Sequence, residues 1–179
     1  MPDIDTFAAL LLEEAKRFLE NAVDADDIVR RDAYLHAALT LGFSGLEAHV
    51  NAVCEEFSTR PELSAHERAL LLEEDVKLEN GEFKPRGLKM YRLEERITFL
   101  HTRFSGKPLD KKVPWWGALG TAIDMRNKLT HPKGAQTIGV DGVKCAIRAI
   151  VDAIDALYQA IYKKKFPAAS RGLQSRLTF

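Results

Sequence analysis

"YLHAALTLGFSGLEAHVNAVCEEF", residues 34–57, decides the fold. Its apolar residues (Tyr34, Leu39, Leu41, Phe43, Leu46, Val50, Val53 and Phe57) lie nearly all round a helical wheel. A helix that is apolar on every side belongs in the middle of a protein. One stripe departs from that pattern. His36, Thr40, Ser44, Glu47 and Asn51 recur at intervals of four, four, three and four, the spacing of a single helix face. Amphipathicity alone makes such stripes, as does a buried hydrogen-bond network. A carboxylate in the stripe, however, asks for a cation from another element.

The segments on either side also read as helices. Upstream, Ile4, Phe7, Leu11, Ala15, Phe18 and Ala22 follow the three-four spacing of a buried face. Asp26 or Asp27 can cap the central helix. Downstream, Ser64 to Glu67 (SAHE) has capping-box spacing and starts a short helix. Asn80-Gly81 in "VKLENGEFK" is the turn of a small hairpin. Leu93, Ile97, Leu100 and Phe104 mark a further helix that stops near Gly106. A basic loop leads to a helix from Pro114. Asp141 can cap a last helix with the stripe Val143, Ile147, Ile150, Ile154, Leu157 and Ile161. The expectation is an all-α protein: an antiparallel helical bundle with a minor β-hairpin, spanning residues 1–165, then a basic tail or arm over 166–179.

Composition narrows the class. The 179 residues suit one domain with a real core. No apolar run approaches a membrane span, and the amphipathic first helix is not a signal peptide. Cys54 and Cys145 are too few for a disulfide framework, so a reduced cytoplasmic setting is expected. The net charge is zero but unevenly spread. Residues 1–100 carry 12 Lys+Arg and 21 Asp+Glu, a net of −9; residues 101–179 carry 14 and 5, a net of +9. Either the basic part meets an anionic partner or the two halves attract each other.

The chemistry concentrates in "DMRNKLTHPKG", residues 124–134. On a regular helix Arg126 and His131 point roughly 140° apart. Pro132 changes this, because the residue before a proline is pushed out of the helical region. His131 should therefore leave the helix, free to swing back towards Arg126. Lys128, His131 and Lys133 suit the negative end of a helix dipole. Arg126 has no such explanation. It continues the apolar face of Leu119, Ala122 and Ile123, and an inward guanidinium needs a partner. Glu47 is the expected one, with Asn51 beside it. No GxSxG, P-loop or HExxH motif occurs, and His36, His49, His66 and His101 lack metal-ligand spacing. No metal or cofactor is expected. Trp115 and Trp116 read as core or interface packing, with stacking on a base as the alternative.

"RNKLTHPK" resembles the R-x4-6-H motif of HEPN domains, in the RN-x3-H form. "FSGLEAHVNAV" resembles the buried helix of that family, with Glu and Asn at this spacing. The order of elements is similar too, over roughly residues 5–162; the hairpin and the basic tail lie outside the pattern. The resemblance implies a four- to five-helix bundle that dimerises, so that two motifs line one cleft. It implies a metal-independent endoribonuclease, often the toxin of a toxin–antitoxin or phage-defence system, with an antitoxin protein as partner. Some members are silent and only bind RNA, nucleotides or proteins. In the enzyme reading Arg126, Asn127 and His131 are catalytic. Glu47, Asn51, Ser44 and Thr40 support them, and Lys107, Lys111, Lys112, Lys128 and Lys133 bind RNA, joined by tail residues Lys163 to Lys165. Cleavage through the 2′-hydroxyl needs an acid, a base and a charge-stabilising fork, roles open to histidine and arginine.

Overall fold

The computed structural model describes residues 4–179, so the first three residues of the expected 1–165 domain lie outside it. Six α-helices and one hairpin follow in order: α1 (Ile4–Asp24), α2 (Ile28–Ser58), α3 (Ala65–Leu71), β1 (Glu74–Glu79), β2 (Glu82–Leu88), α4 (Leu93–Ser105), α5 (Pro114–Thr130) and α6 (Val140–Tyr162). The helical class and the minor antiparallel hairpin are as expected.

Local chemistry sets the boundaries. The Asp27 carboxylate accepts from the Arg30 N–H at 2.7 Å and starts α2. Ser64 and Glu67 form the reciprocal capping box of α3. Gly106 closes α4 in the left-handed region, which glycine adopts without a Cβ clash. Pro114 takes the first position of α5. Asn80 and Gly81, both at positive φ, turn the hairpin between the pairs Glu79–Glu82 and Leu78–Phe83. Asp141 does not cap α6. The cap position belongs to Gly139, and Asp141 sits in the first turn, where its charge still suits the helix dipole.

The core lies around α2 and α6. Leu35, Leu39, Leu46 and Val50 of α2 meet Val143, Ile147, Ile150 and Ile154 of α6, all sealed from solvent. The seam between α1 and α2 is lined by small residues. A Cβ on Gly45 would come within 3.2 Å of the Leu12 backbone nitrogen, and Ala8, Ala15 and Ala22 are fully buried. The expected face of α1 is buried at Leu11, Ala15 and Ala22, with Phe18 packed on the core, and departs from expectation only at its start. Phe7 is 50 % exposed and Ile4 is exposed with it, while Ala8, Leu12, Lys16 and Leu19 point inward.

The last residues dock against α1 and α2 as an arm. Phe166 packs on His49, with ring centres 5.2 Å apart, and on Tyr158 at 4.9 Å. A short 3-10 helix (Pro167–Arg171) follows. The buried Glu13 carboxylate accepts from the Arg171 guanidinium at 2.6 Å and from the Arg176 N–H at 2.7 Å. Lys16, sealed beneath, donates to the Ala168 carbonyl at 3.3 Å. Burial works to raise the Glu13 carboxyl, but these hydrogen bonds and the Lys16 charge prevail and hold it below the ordinary carboxylate range. Burial lowers the Lys16 ammonium. Three ion pairs, Arg171–Glu13, Arg126–Glu47 and Arg103–Glu67, join the acidic first hundred residues to the basic remainder. Part of the charge asymmetry is thus consumed inside the fold.

Candidate functional site

Arg126 follows Leu119 and Ala122 on the buried face of α5, where that face meets α2. Its Nη2 donates to Glu47 Oε1 at 2.7 Å, the pairing the two inward-facing charges called for. Phe43, one turn before Glu47, lies under the guanidinium with its ring centre 5.2 Å from Cζ. The Arg126 Nε is buried without an acceptor. The pair is half-open, with side-chain exposures of 27 % for Arg126 and 46 % for Glu47.

One turn further along α2, Asn51 Oδ1 accepts from Arg96 Nη1 at 2.8 Å. Arg96 is 5 % exposed and also reaches Glu73 Oε2 at 3.2 Å and the Leu71 carbonyl at 3.4 Å. It ties α4 to α2 and to the foot of the hairpin. Burial pushes the neighbouring Cys54 thiol up despite the Arg96 charge, so this sulfur is a packing atom rather than a nucleophile. The other stripe residues stand apart. Ser44 Oγ donates to the Thr40 carbonyl at 3.1 Å within α2, and neither residue lines the cleft described next.

α5 ends at Thr130. His131 has φ −128° and ψ 61°, outside the helical region as Pro132 requires, and its N–H donates to the Asn127 carbonyl at 2.9 Å. His131 does not swing back to Arg126. No hydrogen bond joins them among the described residues, and they line different concavities. Arg126 faces a cleft of about 740 Å³ between α2, α4 and α5, which also takes in Tyr91, Arg92 and Arg96. His131 faces a hollow of about 390 Å³ with Lys128, Lys133 and Gln136. Asp124 and Asn127 line both and form the ridge between them. A third groove, of about 410 Å³, runs along α4 from Glu94, itself on the cleft, to Lys111. The three depressions therefore adjoin in a track from His131 to Lys111.

The lysines divide accordingly. Lys128 and Lys133 share the hollow with His131. Lys107, Lys111 and Lys112 precede α5, whose start lies roughly 18 Å along the helix from Arg126. Lys111 sits 5.4 Å from the centre of the Trp116 ring, and both tryptophans pack partly on the core. Lys163 does not flank the cleft. It caps the far end of α6 through the Ala160 carbonyl at 2.6 Å, while the near end of α6 packs on Met125 at Gly142. Lys163 is roughly 30 Å further along that helix.

Arg96, Tyr91, Arg92 and Glu73 of the cleft were not anticipated from sequence. Arg96 carried a signal: it lies three residues after Leu93 and four before Leu100, on the apolar stripe of α4.

Compared with family models, curated proteins and solved structures, the chain shows no match. Among the described residues no helix is long and apolar enough to cross a membrane, and no three His, Cys, Asp or Glu side chains are grouped to hold a metal ion.

Proposed function

We propose that the chain is a HEPN-type endoribonuclease that cleaves single-stranded RNA through its 2′-hydroxyl, acting as a homodimer in the cytoplasm. The observation that carries this reading is the ridge at Asn127, with a braced arginine on one side and a histidine on the other. The RN-x3-H spacing and the polar stripe of α2 add to it. A strand laid over the ridge would have its phosphate within reach of the free Nη1 edge of Arg126. The 2′-oxygen attacks phosphorus, one histidine takes its proton, and a second protonates the leaving 5′-oxygen. The products are a 2′,3′-cyclic phosphate and a 5′-hydroxyl. One chain supplies a single His131, so the second comes from the same hollow of a partner copy across a two-fold axis. Lys128 and Lys133 hold neighbouring phosphates, and the groove leading to Lys111 extends the path. The two free cysteines suit a reducing compartment. In a toxin–antitoxin or phage-defence setting, an antitoxin protein would cover this track.

The test is cleavage of single-stranded RNA by the purified protein in the presence of a chelator, with the end groups identified. His131→Ala should lower the rate by about 10²–10⁴-fold with the fold intact. Arg126→Lys keeps the charge but loses the planar fork, and should fold yet remain impaired. Light scattering should report a dimer. Equal cleavage by His131→Ala and the parent, or a strict monomer that is fully active, would overturn the mechanism. A second reading, a silent HEPN-type module that binds RNA, a nucleotide or a protein, is favoured by the separation of His131 from Arg126. It becomes the conclusion if the parent neither cleaves RNA nor arrests growth when expressed in cells.

A further inference from the structure

The cleft beside Arg126 has a lining that RNA cleavage alone does not require. Of its four carboxylates, Glu47 is paired with Arg126 and Glu73 with Arg96. Glu94 and Asp124, which line the cleft and also its neighbouring depressions, have no cation partner among the described residues, so their carboxylates remain available as acceptors at its rim. Asn51 supplies the opposite chemistry. Arginine can only donate, so the bond from Arg96 fixes Asn51 Oδ1 towards Arg96 and turns the Nδ2 amino group the other way, as a donor to the cleft. Arg96 itself is 5 % exposed, lines the cleft and leaves Nε without an acceptor. The half-buried Tyr91 carries the Lys89 ammonium 5.1 Å from its ring centre, which leaves its other face for a flat group to stack on. The half-open cleft, about 740 Å³, has room for a nucleotide.

Two free carboxylates against one guanidinium unpaired among the described residues, Arg92, disfavour a second phosphate here. They suit an uncharged heterocycle with N–H donors on its edge. We infer that the cleft between α2, α4 and α5 is a base-binding subsite for a nucleotide whose phosphate lies at Arg126, selecting bases that carry an exocyclic amino group, with Arg96 as the residue that positions Asn51. This rests on the nucleic-acid reading of Arg126 but not on catalysis. Guanine, adenine and cytosine each offer an amino group to a carboxylate and a ring or carbonyl acceptor to the Asn51 amino group. Uracil offers one N–H between two carbonyls, and those oxygens would face carboxylate oxygens.

The experiment titrates the intact His131→Ala protein, which removes turnover, with the four nucleoside 3′-monophosphates by calorimetry and amide chemical shifts. GMP, AMP and CMP should each bind at least about ten-fold tighter than UMP. Glu94→Gln, which adds a donor at the surface, should shrink that ratio several-fold with unchanged melting temperature. Asn51→Leu should shrink it too, with a lower melting temperature because the buried Arg96 loses its α2 partner and keeps only Glu73 and the Leu71 carbonyl. Arg96→Lys retains a cation for Glu73 but lets Asn51 turn. It should shrink the ratio more than it weakens UMP binding, a split that a purely structural role would not produce. Four equal affinities, no binding at all, or an unaltered ratio in both Glu94→Gln and Asn51→Leu would overturn the inference. A parent that selects bases but never cleaves RNA sinks the endoribonuclease reading alone. A parent that cleaves without base preference and binds the four monophosphates equally sinks this one alone.

Discussion

Glu13→Ala should release the C-terminal arm before the bundle unfolds. Glu13 is 1 % exposed, accepts from the Arg171 guanidinium and the Arg176 N–H, and forms an ion pair at 3.8 Å with the Lys16 ammonium. Removing the carboxylate leaves Lys16 as a buried cation with only the Ala168 carbonyl for company. Breaking a buried pair by deleting one member costs about 3–5 kcal/mol. The network lies under a single layer of chain, and Arg171 is 40 % exposed, so water reaches it when the arm lifts. The lower end, about 3 kcal/mol, therefore applies. For a chain of this size that is roughly 6–12 °C in melting temperature. Thermal unfolding by circular dichroism measures the loss. Hydrogen exchange at residues 166–179 shows where it falls, since the arm amides should lose protection at temperatures where α2 and α6 keep theirs. Replacing Glu13 and Lys16 together by methionine should restore most of the stability, because apolar side chains of similar volume leave no stranded charge. If Glu13→Ala melts within 1 °C of the parent and the arm stays protected, the buried network does not hold the arm and the reasoning is wrong.

Two further outcomes follow from the packing. His49 is buried against Phe166 and Tyr158, and burial lowers its titration to about 4 from the ordinary value of 6.5. Between those values the unfolded chain holds the extra proton, so stability should fall as pH drops from 6.5 towards 4, by up to about 3 kcal/mol, and His49→Phe should flatten that slope in denaturant titrations. Gly42→Ala would place a Cβ 2.5 Å from Ile147 Cδ1 and 3.2 Å from Ile150 Cδ1, both sealed in the core. Overpacking of about 1–3 kcal/mol against about 1 kcal/mol gained in helix propensity should leave a net loss of up to about 2 kcal/mol by urea unfolding, and a net gain in stability would show that the two isoleucine ends simply move aside.

What could be read from the sequence was local or periodic. The Asp27 cap, the Ser64–Glu67 box, the Asn80-Gly81 turn and the Gly106 stop are chemistry between residues a few positions apart, and each formed as its spacing required. The Arg126–Glu47 pair was legible because a charge on an apolar face announces a need for a partner. The same rule, applied evenly, would have exposed Arg96 between Leu93 and Leu100, and Lys16 between Leu12 and Leu19. Their stretches, "LEERITF" and "EEAKRF", look like solvated charge runs, and that masked the signal. The exposed start of α1 was hidden for another reason. Its contact with α2 is made by alanines against glycine, while the pattern was weighed by the large residues Ile4 and Phe7, which the structure leaves outside. The split between His131 and Arg126 depends on which side of Asn127 each faces, a tertiary matter that five residues of spacing do not encode.

The energetics of Arg126 argue for a role other than stability. An ion pair as open as Arg126–Glu47 contributes about 0–1 kcal/mol. Against that stands a buried Nε without an acceptor, a desolvation cost of about 1–3 kcal/mol. A leucine or methionine continuing the face of Leu119 and Ala122 would serve the bundle at least as well. The arrangement does fix direction. Phe43 supports the guanidinium from below and Glu47 holds Nη2, so the planar fork is held in one orientation with its Nη1 edge open to the cleft. Holding a donor where negative charge will lie, before that charge arrives, is how a protein stabilises an anion without reorganising for it. Pro132 meanwhile ends α5 at Thr130 and takes His131 out of the helical conformation, and His131 lines the hollow on the other side of Asn127 from the cleft. A helix that ran on would point the two side chains roughly 140° apart, with the body of the helix between them. On the endoribonuclease reading proposed above, the arginine that stability does not need and the proline that stops the helix would act together, placing a held guanidinium and an imidazole on either side of Asn127.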